Sequence, residues 1–523
     1  MPKFDLSRRR LLAEAAGSAA LGSAFRFAEQ PAGAQPSQGG PVNKNSAPSN
    51  LRITDMRACR IASGLDYPII RIDTNQGVSG FGEVRDAGVE GIALVLKPHL
   101  VGRNPLDIEP TLDRIRKFAN HLHLGGGYSA VDIALHDIAG KVYGVPCWRL
   151  LGSRYRDRVR VYCHLPSTKD PKAFAEGVRR RKQLGFTFFK TSWSASLVAH
   201  VPGAVNEDGA ATDKGLKLMC EILDMIRDAI GWEASLALDH LGSRLRVNDC
   251  IRYVKALEPY KLAFAEDVLP ALPGEMGYGG NISRDWRRFK EIKDATTTPL
   301  AAGEDLFGLE EGFLDFIDNR AIDIVHIEPL TAGGIRETKR IADYAAIRSI
   351  PTAVHCCVSP LGVIADVHAV ATIRDFMALE RDNAFLELPW WQDLVTGVPK
   401  PMIQNGYIRV PRRLPSGRHC LSASGRVRQT CGEVRRGAHQ APWTAYGERR
   451  IRQESENWNE EDGPPGGGIL GNRGSRASGQ RRRTGFFAGQ ADPTGRAPRH
   501  RNRRAQGGAP GGLRRAHRRR AGG

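Results

Sequence analysis

Residues 300–328 decide the fold. Leu300-Ala-Ala-Gly-Glu304 is a short apolar run that closes on an acid, Leu309–Asn319 repeats its apolar residues at helical spacing, and Ile322-Asp-Ile-Val-His-Ile-Glu328 is a second run closing on an acid. Strand, helix and strand in that order make a βαβ unit, and buried parallel strands read as near-continuous apolar runs. The rhythm continues in both directions. Runs at Val159–Tyr162, Phe186–Lys190, Leu236–Asp239 and Leu262–Glu266 precede it, and Thr352–His355 and Phe376–Glu380 follow. Helical patterns at Pro171–Leu184, Asp213–Ala229 and Ile335–Ser349 fill the gaps. About eight repeats predict a (β/α)8-like barrel over residues 156–411 rather than an open doubly wound sheet.

Residues 51–155 have a different texture. Alternation from Arg52 to Val84, with Tyr67-Pro-Ile-Ile-Arg-Ile-Asp73 and the turn Gly77-Val-Ser-Gly80, predicts an antiparallel meander. From Gly91 to Leu151 the period becomes helical, most clearly in Ala130–Ala139. Together these make an α+β capping domain ahead of the barrel.

Both ends of the 523-residue chain depart from this pattern. Ser7-Arg8-Arg9-Arg10-Leu11-Leu12, an Ala/Gly-rich stretch to Phe27 and the small residues Ala32-Gly33-Ala34 read as a twin-arginine-like signal peptide over 1–34, which predicts a periplasmic or exported protein. A Pro/Ser/Gly/Asn-rich linker follows over 35–50. Residues 412–523 hold 25 Arg and no Lys, with 21 Gly. Such a segment cannot bury enough apolar surface to fold, and it reads either as a GC-rich gene translated out of frame or as a genuine disordered basic tail. That tail carries +17 of the formal +19, so the remaining 411 residues are nearly neutral. A nucleic-acid-binding core is therefore excluded as the default. No run of about 18 apolar residues predicts a membrane span. Nine scattered cysteines, without CxxC spacing, read as small buried residues rather than a disulfide framework.

In such a barrel the chemistry gathers at the C-terminal ends of the strands. Here those ends are Lys190, Asp239, Glu266, Glu304, Glu328, His355 and Glu380. Carboxylates brought together from neighbouring strands need a cation between them, and all-oxygen ligation favours Mg²⁺ over Zn²⁺.

At this point the residues resemble the enolase superfamily, in its mandelate racemase and muconate-lactonizing branch, over roughly Arg52 to Pro411. The resemblance is carried by Tyr128–Lys141 with Gly144-Val-Pro146 and Leu150-Leu-Gly152. It is carried further by Phe264-Ala-Glu-Asp267, Ala302-Gly-Glu304, Gly333-Gly334, and His355 with Ser359-Pro360. It implies Mg²⁺ held by Asp239, Glu266 and Glu304, gripping a substrate carboxylate and stabilising an enediolate. It also implies His355 as base or acid, paired with Glu328 where most relatives carry Asp, and Glu380 as a hydrogen-bonding partner of the substrate carboxylate, with Glu387 a competing candidate. On strand two, racemases of this branch carry Lys-x-Lys; Lys190-Thr-Ser192 keeps only the first, which implies a positive charge near the substrate and leaves Lys190 as a possible second base.

The residues beside these carry less weight. His200, Glu207 and Asp208 lie in a long loop that could reach the mouth, His240 reads as structural, and Cys356-Cys357 read as packing residues. The loops Ser63–Tyr67 and Arg85–Glu90 are the expected specificity elements. The function expected is Mg²⁺-dependent dehydration of an acid sugar, a small-molecule carboxylate, by a homo-oligomer. Racemisation, epimerisation or cycloisomerisation through the same enediolate is the alternative. A basic protein binding nucleic acid or a surface through its tail is the alternative outside enzymes.

Overall fold

The computed structural model describes residues 50–411, apart from 63–65, 86–87, 120–125, 169, 240, 242–244, 271–282, 382–387 and 389. The signal peptide, nearly all of the linker, the Arg-rich tail, His240, Glu387, Cys420 and Cys431 lie outside the described residues.

The chain opens with three antiparallel strands, β1 (Ile53–Ala62), β2 (Asp66–Thr74) and β3 (Ser79–Glu83), paired in that order. Cys59 faces Ile69 and Ile70 faces Gly82 across the two ladders. Helix Gly126–Tyr143 lies against β3, and its apolar face closes a core with Ile53, Ile70, Leu112 and Ile115. This is the α+β cap. Contrary to the reading of the cysteines as packing residues, Cys59 and Cys147 are each disulfide-bonded. Cys163, Cys220, Cys250, Cys356 and Cys357 take no part in a disulfide.

Eight parallel strands follow: β4 (Arg158–His164), β5 (Phe188–Ser192), β6 (Ser235–Asp239), β7 (Phe264–Glu266), β8 (Leu300–Ala302), β9 (Ile324–Ile327), β10 (Thr352–Val354) and β11 (Phe376–Arg381). They pair in sequence order, and β11 returns to β4 through Leu379, Glu380 and Arg381 opposite Val161, Tyr162 and Cys163. The barrel is closed. The expected helices form at Pro171–Gln183, Asp213–Ile230 and Gly334–Ile347. The third prediction, Leu309–Asn319, is modified: it starts as a π-helical turn, Leu309–Phe313, before the α-helix Leu314–Asp318. Glu310 and Glu311 in that turn reach out to Arg340 and Arg116. A hairpin, β12 (Ile403–Gln404) and β13 (Tyr407–Arg409), pairs antiparallel with the start of β4.

Side chains alternate along a strand, so residues two apart share a face. The barrel interior is floored by one residue from each strand: Tyr162, Phe188, Ala237, Phe264, Ala301, Ile324, Ala353 and Ala378. The three aromatics pack on one another, with ring centroids 4.8, 5.9 and 6.3 Å apart. Most of the polar residues at the strand ends sit one step above this floor.

The cap meets the barrel through small residues and ion pairs. A Cβ on Gly334, which has φ +91°, would lie 2.1 Å from Asp132 Oδ2 of the cap helix, so only glycine allows this approach. Ser129 accordingly accepts the Gly333 N–H at 3.1 Å.

Candidate active site

Counting two residues up from each floor residue gives His164, Lys190, Asp239, Glu266, Gly303, His326, His355 and Glu380. Every member except the glycine is polar or charged. Gly303 shows how the exception works: at φ +134° it turns the chain after β8, so that Glu304 enters the cluster in its place. A side chain at 303 would meet the Phe313 ring at 2.5 Å, which leaves glycine as the residue that fits.

Lys190 is fully buried, and its ammonium faces three carboxylates: Glu266 at 2.7 Å, Glu380 at 2.9 Å and Asp239 at 3.1 Å. Burial alone would lower its pKa, but these three acids raise it well above the ordinary value. In this arrangement its ammonium is the counter-ion of all three acids. Glu380 is also fully buried. It accepts from Tyr162 Oη at 3.1 Å and contacts His164 Nε2, so it joins strands one, two and eight from within.

His355 sits between acids. Its Nδ1 is 2.7 Å from Glu328 Oε2 and its Nε2 is 3.1 Å from Glu304 Oε2. Burial disfavours the imidazolium, yet Glu304 and neighbouring groups outweigh it and raise the pKa well above the usual histidine value. Glu328 also accepts the Leu330 N–H at 2.9 Å, which fixes its carboxylate for the histidine. Glu304, pushed up by burial, is held at about 2 by His355 and Arg85.

Three groups in the cluster escaped the sequence reading. His326, in the interior of an apolar run, has Nδ1 2.8 Å from Glu266 Oε1 and Nε2 2.8 Å from the Tyr162 hydroxyl. Burial and then Lys190 lower its pKa to about 3, so the ring is neutral. His164 closes β4, which the sequence reading ended at Tyr162. Arg85 arrives from the cap, donating to the Glu304 carbonyl at 2.8 Å, Asp305 at 2.6 Å, Thr331 at 2.8 Å and the Glu304 carboxylate at 3.2 Å. It therefore clamps a barrel acid, whereas its loop was expected to read the substrate.

The surrounding candidates fall away. His200, Glu207 and Asp208 are exposed, and Asp208 pairs with Arg246 at 3.5 Å. Cys356 is buried and takes an Arg381 N–H at 3.1 Å, as a packing residue does, but the Cys357 sulfur lies within 4.8 Å of His355 and Glu380 ligand atoms and belongs to the mouth.

The residues fit a hard cation. Buried Glu266 Oε1 lies 2.8 Å from His326 Nδ1 but outside hydrogen-bond geometry, which leaves its lone pairs directed to a ligand position. Burial and the acids Asp239, Glu380 and Glu304 push the Glu266 carboxyl well above its usual range against the opposing Lys190. A divalent ion would relieve that crowding, and an oxygen-rich donor set selects Mg²⁺. Ligand atoms of Glu266, Glu304 and His326 lie within 4.8 Å of one another, while Asp239 stands on the Lys190 side.

Two family descriptions match the sequence: "Mandelate racemase / muconate lactonizing enzyme, N-terminal domain" over residues 44–152 and "Enolase C-terminal domain-like" over 173–415. A D-xylonate dehydratase of Haloferax volcanii is 32% identical over 384 residues, 71% of this chain and 87% of that protein. A D-mannonate dehydratase of Rhizorhabdus wittichii is 29% identical over 353 residues, 62% of this chain and 83% of that protein. A mandelate racemase/muconate lactonizing enzyme-like protein from Rubrobacter xylanophilus shares the fold with a TM-score of 0.62 at 26% identity, covering 72% of this chain and 96% of its own.

Proposed function

The chain belongs to the mandelate racemase and muconate-lactonizing branch of the enolase superfamily, and from that premise we propose that it dehydrates an acid sugar by removing the proton α to a carboxylate and expelling the β-hydroxyl. The single observation that carries this reading is His355. Both of its nitrogens face carboxylates, an environment that keeps the imidazole protonated and ready to donate to a departing hydroxyl. The likeness to xylonate and mannonate dehydratases points the same way. The racemase arrangement has less support, because Ser192 is exposed where a second lysine would stand and Lys190 is committed to three acids.

Asp239, Glu266 and Glu304 are the proposed holders of Mg²⁺, which when bound supplies positive charge against the enediolate of the substrate carboxylate. Lys190 balances the remaining acids, Glu380 holds His164 and Lys190 in place, and Glu328 orients His355. The floor of aromatic and aliphatic side chains excludes water from beneath.

The test is to incubate the protein with Mg²⁺ and a panel of C5 and C6 sugar acids in D₂O, following products by NMR. A 2-keto-3-deoxy acid is expected from one or a few members. Deuterium entering an intact, epimerised acid without any keto product would overturn dehydration in favour of epimerisation.

Export is part of the same proposal. The Arg8-Arg9-Arg10-Leu11-Leu12 leader suits a route for folded proteins, and the disulfide bonding of Cys59 and Cys147 suits an oxidising compartment.

A further inference from the structure

Elimination through an enediolate needs a group that accepts the α-proton as well as one that protonates the leaving hydroxyl, and the Lys190 ammonium is ringed by three carboxylates. Resting on the dehydratase reading, we propose that His164, held by Glu380, is that acceptor, so that the site carries two histidine–carboxylate pairs, on the two strands that flank β11.

Four observations carry this. His164 stands two residues above Tyr162 of the floor, so its side chain shares the inward face of β4. It pairs in register with Lys190 on β5, on the side where a racemase would place its second lysine. Its side chain is 30% exposed, against 17% for Asp239, 8% for His355 and none for His326, which makes it the most accessible histidine of the cluster. Its backbone is pinned twice: Arg181 Nε donates to its carbonyl at 2.6 Å, and the next residue, Leu165, donates to the Lys190 carbonyl at 2.8 Å.

The chemistry balances with the residues in place. The Cα–H bond breaks, its proton passes to the unprotonated imidazole nitrogen of His164, and its electron pair enters the enediolate of the substrate carboxylate. That pair forms the Cα–Cβ double bond as the Cβ–O bond breaks, and the hydroxide leaves as water with the His355 proton. The enol tautomerises to the 2-keto acid, and both histidines return to their starting states by exchange with solvent. Glu380 serves His164 as Glu328 serves His355, orienting the ring and stabilising the imidazolium that forms.

The decisive comparison sets His164→Gln against His355→Asn in the full-length protein with Mg²⁺ and the sugar acid that the wild type turns over. His164→Gln is expected to lose at least about 10²-fold in dehydration and equally in exchange of the α-proton for deuterium. His355→Asn should lose dehydration to a similar degree while keeping α-exchange, because only the departing hydroxyl is left without its donor. His164→Ala, with an unchanged melting temperature, should regain activity when imidazole is added, which a purely structural histidine would not allow. Dehydration by His164→Gln within about fivefold of the wild type would overturn the proposal. So would a folded His164→Ala that imidazole does not rescue. Should the wild type yield no keto acid, the dehydratase reading fails by itself, and α-exchange in the His164 variants still decides the role of this histidine.

Discussion

At the scale of single residues, the acids that close apolar runs were legible because the interior of a strand leaves them no other explanation. Glu266, Glu304, Glu328, His355 and Glu380 each interrupt hydrophobicity where a bland strand would continue it, and all of them meet at the mouth. His326 was hidden for the opposite reason, since it sits between Val325 and Ile327 and looks like a tolerated polar residue in a core strand. Only the two-residue register above the floor reveals it, and the same register picks out His164. Arg85 had no signal at all, because its partners are 219 to 246 residues away in the chain. Two expectations belong at this scale. Glu304→Gln should preserve the fold yet lose most Mg²⁺ affinity by titration calorimetry, because a neutral amide cannot replace anionic ligand charge. Glu328→Gln should slow turnover by about 10- to 100-fold, the usual cost of losing an orienting carboxylate, with little change in the thermal midpoint.

At the scale of elements, the segment after β10 is the one most dependent on its neighbours. Helix Pro360–Val370 begins directly after the His355 stretch, and its N-terminus is capped by a residue from the cap domain. Glu83 accepts the Ser359 N–H at 2.8 Å and the Gly362 N–H at 2.9 Å, and also takes the Ser359 hydroxyl proton. Burial raises its carboxyl to about 7, although these donors pull it down. Below its unfolded pKa of 4.5, both states hold the proton. Between there and about 7 only the folded chain keeps it, so the contribution of Glu83 to stability is lost as pH rises through that window. The full swing is about 3 kcal/mol, at 1.36 kcal/mol per pKa unit. Glu83→Ala should lower stability at pH 5 by about 1–3 kcal/mol through lost capping bonds and flatten the pH dependence between 5 and 7, as read by urea titration at several pH values. The general plan of alternating elements was readable from periodicity, but this cap was not, since a carboxylate closing the β3 strand pattern gives no hint of which helix it serves. The π-turn at Leu309–Phe313 was likewise invisible, because its helical spacing of apolar residues is almost that of an α-helix.

At the scale of the whole molecule, cap and barrel behave as a single unit. Arg85, Arg116–Glu311, Arg336–Glu109 and the Trp148 indole donating to the Pro411 carbonyl at 2.8 Å all cross the boundary. The family match ends at residue 415, so removal of the Arg-rich segment after Pro415 should leave turnover and Mg²⁺ affinity unchanged. Loss of activity on that deletion would assign the tail a structural part. Reduction of the disulfide-bonded Cys59 and Cys147 should lower the unfolding free energy by about 2–4 kcal/mol, measured as a drop in melting temperature with added reductant. In an exporting host the mature chain should begin near Gln35, which mass spectrometry of the periplasmic fraction reads directly. Tyr162, Phe188 and Phe264 seal the barrel beneath the catalytic groups, so the mouth that admits the sugar is the path left for hydrons to reach bulk water. While product fills that opening, a label taken from Cα stays on its acceptor instead of washing out. Run in the hydration direction, or with a slow-leaving product, the enzyme would hand the same isotope back to the carbon it came from. Its kinetic isotope signature would then be set by departure through the opening more than by the bond-breaking step.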